Sequence, residues 1–213
     1  MRTLCLAAAA ASLCLLAVPA FAQSPESYDD SWYRAPFWSG EYPDGFSVAR
    51  TTTVQLRPAL DPKADKTIAC ELPQGATYQP WNQSRVEEQG LVFTSFTKIA
   101  TYKITKPYET TLYKHLDGTE LKVSFKPGDT FRYLVYFGEG AFLMEYDGVE
   151  YDGDQDLFEH AEQEGDSNGY EEWLRINCSN NQWGWLFMGD VTLDDGTFVS
   201  PNITEYGTAE DLK

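Results

Sequence analysis

From Phe46 onward apolar and polar residues alternate with a period of two. Val54 and Leu56 alternate with Gln55 and Arg57; Ile68, Cys70 and Leu72 alternate with Ala69 and Glu71. Leu121, Val123 and Phe125 repeat the pattern, as do Leu174, Ile176 and Cys178. This is the signature of strands with one buried face. Asp-Gly pairs at 44–45, 117–118, 147–148, 152–153 and 195–196, with Asn168-Gly169, supply residues that tolerate positive φ and close hairpins. Short strands at this spacing predict an all-β, mainly β fold of barrel or sandwich type. The one helical stretch expected is Gln155 to Glu164, with Leu157, Phe158 and Ala161 on its apolar side.

Residues 23–45 show no clean period. They carry Tyr28, Trp32, Tyr33, Phe37, Trp38 and Tyr42 with Pro36 and Pro43, and predict an extended aromatic arm. A repeat follows. Leu56 to Asp61 matches Leu112 to Asp117 at an offset of 56 residues, and Leu72 to Tyr78 matches Phe125 to Phe131 at an offset of 53. The difference falls in a hairpin loop, where length changes are tolerated. Two related β units are expected, at 46–105 and 106–195, before a C-terminal tail at 196–213.

Strand, hairpin, strand and Leu-Pro-x-Gly turn, closed by an aromatic-Gly-aromatic hairpin, resemble the bacterial Src-homology-3-like (SH3-like) barrel of the cell envelope. The opening part is Thr53–Leu56 through Leu72-Pro-Gln-Gly75. The closing part is Trp173–Cys178, Asn180-Asn181 and Trp183-Gly184-Trp185-Leu186. Phe142–Tyr151 looks like a second closing hairpin, and the first unit has no Trp-Gly-Trp-like element within 46–105. The resemblance implies a non-enzymatic binding module whose ligand is a cell-wall peptide, a glycan or a protein.

The first 22 residues carry Arg2, an Ala- and Leu-rich run from Leu4 to Val18, Pro19 and a small-x-small end at Ala20-Phe21-Ala22. They read as a bacterial signal peptide, and the mature protein as periplasmic or secreted, with no membrane segment after cleavage. Cys5 and Cys14 leave with the signal. The remaining pair, Cys70 and Cys178, lies on the apolar faces of its strands and predicts one core disulfide in an oxidising compartment. Asn82, Asn177 and Asn202 are sequons that matter only in a eukaryotic secretory pathway.

The chain of 213 residues has 16 Lys+Arg against 33 Asp+Glu, a formal charge of −17. That acidity excludes a nucleic-acid binder and docking on anionic lipid. There is no Gly-x-Ser-x-Gly elbow, His-Glu-x-x-His, Cys-x-x-Cys or Gly-rich phosphate loop. His115 and His160 are the only histidines. No catalytic residue is assigned; the enzymatic alternative is a hydrolase using carboxylates or His160.

Asp152, Asp154 and Asp156 occupy the first three ligand positions of a calcium loop. Leu157 stands where the sharp turn needs Gly, and Gln163 where the bidentate Glu belongs. Calcium is therefore the one cofactor considered, in a calcium-dependent structural or inhibitory protein. Aromatics, 15% of the chain, are the remaining signal. Trp183 and Trp185 share a strand face opposite Leu186. Trp173 lies opposite Leu174, Ile176 and Cys178, and is expected to project outward or over a barrel end. With Tyr146 and Tyr151 they form the candidate ligand platform, because flat rings suit sugars and peptide side chains. An inhibitory contact through the arm is the third possibility.

Overall fold

The computed structural model describes residues 27–40, 45–80, 83–165, 169–178, 180–205 and 208–210. The expected signal peptide and Cys5 and Cys14 lie outside the described residues, as do arm residues 23–26 and 41–44. The chain is mainly β, 54% strand against 8% helix, which settles the class as all-β.

The strands in chain order are β1 (Trp32–Ala35), β2 (Phe46–Val48), β3 (Thr52–Leu56), β4 (Ile68–Leu72), β5 (Thr77–Tyr78), β6 (Val92–Lys98), β7 (Ala100–Ile104), β8 (Tyr108–Lys114) and β9 (Glu120–Phe125). They continue as β10 (Thr130–Gly138), β11 (Ala141–Tyr146), β12 (Val149–Asp154), β13 (Ala161–Glu164), β14 (Tyr170–Asn177), β15 (Trp183–Phe187), β16 (Phe198–Val199), β17 (Asn202–Glu205) and β18 (Thr208–Glu210). One short helix, α1 (Gln83–Gln89), precedes β6.

Alternation sets the buried face of each strand. In β4 Cys70 and Leu72 are buried between exposed Ala69 and Glu71; in β9 Val123 and Phe125 flank exposed Ser124. The stretch expected as a helix at Gln155–Glu164 is instead a 3-10 turn, Gln155–His160, followed by β13. Asp154 caps the turn by accepting the backbone N–H of Asp156 at 2.9 Å, and Leu157 is its one buried residue. Beyond the turn, Ala161–Glu164 pairs with β7, and that ladder takes the backbone groups a longer helix would have used. Sequence periodicity did not single out α1, whose polar run holds Val86 as its one apolar residue.

The repeat is a repeat of backbone pairing. Phe46 pairs with Tyr78 and Ser47 with Thr77, as Tyr102 pairs with Phe131 and Lys103 with Thr130. Val54 pairs with Cys70 and Leu56 with Ile68, as Thr110 pairs with Val123 and Leu112 with Leu121. Gly75 and Gly128 take the same left-handed turn, φ 88° and 101°. Their N–H groups donate to Val48 at 2.8 Å and Ile104 at 2.9 Å. A residue with a Cβ is disfavoured at both positions.

The likeness extends to the closing elements. The β14–β15 hairpin leads to a 3-10 turn, Met188–Asp190, and then to β16, which pairs with β2. The β11–β12 hairpin leads to the Gln155–His160 turn and β13, which pairs with β7. Arg57 bridges Trp185 as Tyr113 pairs with Asp152.

Pairing thus departs from a division of the chain at 105/106. β7 to β13, residues 100–164, make one seven-stranded curled sheet with its own core around Phe125, Phe131, Phe142, Met144 and Leu157. β14 and β15 belong to the other unit, where β14 pairs directly with β6. The second unit is inserted between these two neighbouring strands of the first. The Trp-Gly-Trp element missing from 46–105 is supplied from beyond the insertion. Its glycine is required there, because a Cβ on Gly184 would sit 2.7 Å from the Leu56 Cβ.

The first unit's core gathers Phe46, Val48, Leu56, Cys70, Leu72, Leu174, Ile176 and Leu186. Cys70 and Cys178 form the disulfide, with Cα atoms 5.3 Å apart. Ala35, Tyr33, Phe37 and Ile99 pack on Leu134, Val135, Leu143 and Phe137 where the units meet. Among the described residues no helix is long and apolar enough to cross a membrane.

Arg57, 5% exposed, is held in the first unit by Asp190, with its Nη2 donating to the Pro62 carbonyl at 3.1 Å. Lys66 joins Asp190 at 2.9 Å. Burial alone would raise the Asp190 carboxyl, but the hydrogen bonds from Arg57 and Lys66 hold it below its ordinary value. A lowered folded-state value contributes stability that is present above the unfolded value of ~4 and is lost as pH falls through the folded one. The expected result for Asp190→Asn is a flatter dependence of melting temperature on pH below ~4 than the parent shows. Near neutral pH it is expected to cost less than the ~3–5 kcal/mol of a fully buried pair, because Asp190 is partly exposed. Parallel acid curves for the two proteins would refute this role.

Candidate functional site

The five aromatic residues expected as one platform do not come together. Tyr146 and Tyr151 belong to the second unit, where Tyr151 is 9% exposed and Tyr146 packs edge-on against Phe125 at 5.0 Å. Trp173, Trp183 and Trp185 belong to the first. Trp173, expected to project outward or over a barrel end, does not project outward: it is 0% exposed. The sheet β1-β6-β14-β15 is covered on both faces. Leu174 and Ile176 face the main core, while Trp173 packs with Phe96, Leu60, Tyr28, Trp32 and Phe187 under the N-terminal arm. The indole Nε1 of Trp173 donates to the Tyr28 hydroxyl at 2.7 Å, and its carbonyl accepts from Trp38 Nε1 at 3.0 Å. Tyr28 in turn donates to Glu171. Burial, then the Glu171 contact, pushes the Tyr28 phenol well up.

Trp185 is half-buried, its backbone N and O both bonded to Arg57. Trp183 is exposed and lies over the Arg175 guanidinium at 4.4 Å, a cation–π contact that occupies one face of the ring.

Asp152, Asp154 and Asp156 likewise do not gather as metal ligands among the described residues. Asp152 faces His115, Oδ1 to Nδ1 2.7 Å, and Asp154 is committed to its cap. Among the described residues no three His, Cys, Asp or Glu side chains gather as a cation cage. His115 stacks on Phe137 at 5.7 Å and His160 on Tyr108 at 4.4 Å. Among the described residues no hydroxyl or thiol hydrogen-bonds to either imidazole ring.

A different place gathers aromatic and polar groups. Where the units meet, a cleft of about 580 Å³ is lined by Ser39, Thr97, Lys98, Gly169 and Tyr170 from the first unit and by Tyr133 and Tyr136 from the second. Its size falls in the range of roughly 300–1,000 Å³ common to small-ligand sites. Register places its walls. Thr97 lies between Tyr33 of β1 and Tyr170 of β14, so these side chains share a sheet face. Tyr133 lies between Ala100 of β7 and Met144 of β11.

Each tyrosine is held by its neighbours. Tyr170 is 41% exposed, and its hydroxyl accepts the Ser39 N–H at 2.8 Å and donates to Glu172 at 2.9 Å. Tyr136 accepts the Gly140 N–H at 3.1 Å. The Tyr133 ring packs on Phe142 at 5.4 Å, and burial, then its neighbours Tyr102 and Tyr136, push its phenol up to about 12. Burial, then the adjacent Glu172 charge, raises the Tyr170 phenol as well, so the Tyr133 and Tyr170 hydroxyls are both neutral donors and acceptors near neutral pH.

None of these residues stood out in the sequence as a site, because they lie on four separate stretches that only the tertiary structure brings together. No family model matches the chain, and no curated protein or solved structure is significantly similar to it.

Proposed function

We propose that the chain is a periplasmic or secreted, non-enzymatic binding module of the bacterial envelope. In this reading it is built of two SH3-like units, one nested in the other, and takes its ligand in the cleft between them. The observation that carries the reading is that cleft, in which Tyr133, Tyr136 and Tyr170 from both units surround one opening. Rigid tyrosines give large contact area at low entropy cost. The repeated strand order, with a 3-10 turn before each last strand, supports the SH3-like assignment. The Cys70–Cys178 pair and the Ala-rich leader support an oxidising, exported location.

A thermal-shift screen of residues 23–213 tests it, with muropeptides, envelope glycans and calcium as probes. A ligand of the folded state adds about 2.7 kcal/mol at a hundredfold excess over its dissociation constant. The expected result is a rise in melting temperature with a muropeptide or glycan that Tyr170→Ala abolishes. A shift with calcium alone, or one that Tyr170→Ala leaves intact, would move the site away from the cleft.

A further inference from the structure

The cleft has a chemical character of its own. Thr97 is 8% exposed, yet its hydroxyl oxygen is buried without a hydrogen-bond partner among the described residues. A buried hydroxyl with no partner costs free energy, and such a group at a concave surface marks where a ligand atom belongs. The Tyr133 hydroxyl also has no protein partner among the described residues. Together they offer two vacant donor–acceptor groups beside the exposed Tyr170 ring.

Among the described residues the cleft carries no free positive charge. Lys98 is the one charged residue among the described residues that line it, and it alternates with Thr97 along β6. Its ammonium is engaged with Ser31 Oγ at 2.5 Å and lies 5.2 Å from the Trp32 ring centre. Glu172 stands at the Tyr170 hydroxyl, and the chain as a whole carries −17. An anionic ligand would be repelled here.

Nor is there a free sheet edge. Thr97 and Tyr133 are each flanked by paired strands on both sides, so an extended peptide cannot add a strand at this place. What fits is an uncharged ligand with a flat apolar face and several hydroxyls.

We infer that the cleft is a site for a neutral saccharide, stacked on Tyr170 and hydrogen-bonded to the hydroxyls of Thr97 and Tyr133. This rests on the binding-module reading above and narrows its ligand class.

Titration calorimetry on residues 23–213 tests it with three classes of probe: neutral β-linked trisaccharides of glucose and of N-acetylglucosamine, a trigalacturonate, and cell-wall stem peptides that carry no sugar. Binding of a neutral trisaccharide is expected, with no detectable heat from the other two. Thr97→Val keeps the shape and removes the hydroxyl, so it is expected to weaken the sugar about tenfold without lowering the melting temperature. Tyr133→Phe and Tyr170→Ala are each expected to weaken it by a similar factor or more.

Peptide stems that bind and are lost in Tyr170→Ala would overturn the saccharide assignment while keeping the cleft. Sugar binding unchanged in Thr97→Val and Tyr170→Ala would overturn the placement of the sugar here. No probe responding to Tyr170→Ala would overturn the cleft as the binding site altogether.

Discussion

Removal of the Cys70–Cys178 bridge by Cys70→Ala and Cys178→Ala together is expected to cost the first unit about 4 kcal/mol, while the second unit keeps its own unfolding midpoint. The two cysteines are 108 residues apart, a loop for which the chain-entropy account gives ~4.7 kcal/mol. Residues 100–164 fold as one sheet inside that loop, and Thr101 pairs with Glu164 near its two ends. The folded insertion shortens the loop that stays flexible, and the expected effect falls toward ~4 kcal/mol. The bridge joins β4 to the end of β14, the segments of the first unit that the insertion separates in sequence. It therefore protects the discontinuous unit and not the continuous one.

Urea titration followed two ways checks this. All six tryptophans, Trp32, Trp38, Trp81, Trp173, Trp183 and Trp185, lie outside 100–164 in sequence, so indole fluorescence carries no signal from the second unit's own residues. Far-ultraviolet circular dichroism reports both. The fluorescence midpoint is expected to fall and a later dichroism phase to stay put. One coincident transition, shifted in both signals, would show that the units unfold together and that the bridge stabilises the whole.

Trp173→Ala is expected to lower stability by about 3–5 kcal/mol, the usual cost of emptying a buried aromatic site. The indole is fully buried between the sheet and the arm, with Phe187 at 4.9 Å and the Arg57 guanidinium at 5.8 Å. Its loss also removes the hydrogen bond to Tyr28, one of the polar ties between the arm and the sheet. The arm is expected to loosen with it, because Tyr28 stacks on Phe96 beside the same cavity. A fall of roughly 10 °C or more in melting temperature corresponds to that loss for a chain of this size. Hydrogen exchange at Trp32–Ala35 should rise in the same variant. A variant that melts near the parent, with protected β1 amides, would mean that the arm is held without Trp173.

Alternation alone identified the strand faces of β3, β4, β9 and β14, because burial on one side of a strand imposes a period of two. The offsets of 56 and 53 located a true repeat of pairing, since hairpin register depends on local spacing and turn glycines. The cysteine pair was also legible, both residues lying on apolar strand faces. Trp173 was not. Its alternation with Leu174 and Ile176 placed it on the second face of the sheet, but only the packing of a distant arm decides that this face is dry. The same holds for the order of the units. Sequence shows two opening hairpins and two closing hairpins, yet nothing local dictates which closes which. The choice is made by β6 pairing with β14 across the inserted unit, a contact that no short-range pattern encodes. The cleft depends on that choice, because Thr97, Tyr133 and Tyr170 become neighbours only when the second unit leaves and re-enters the first between adjacent strands.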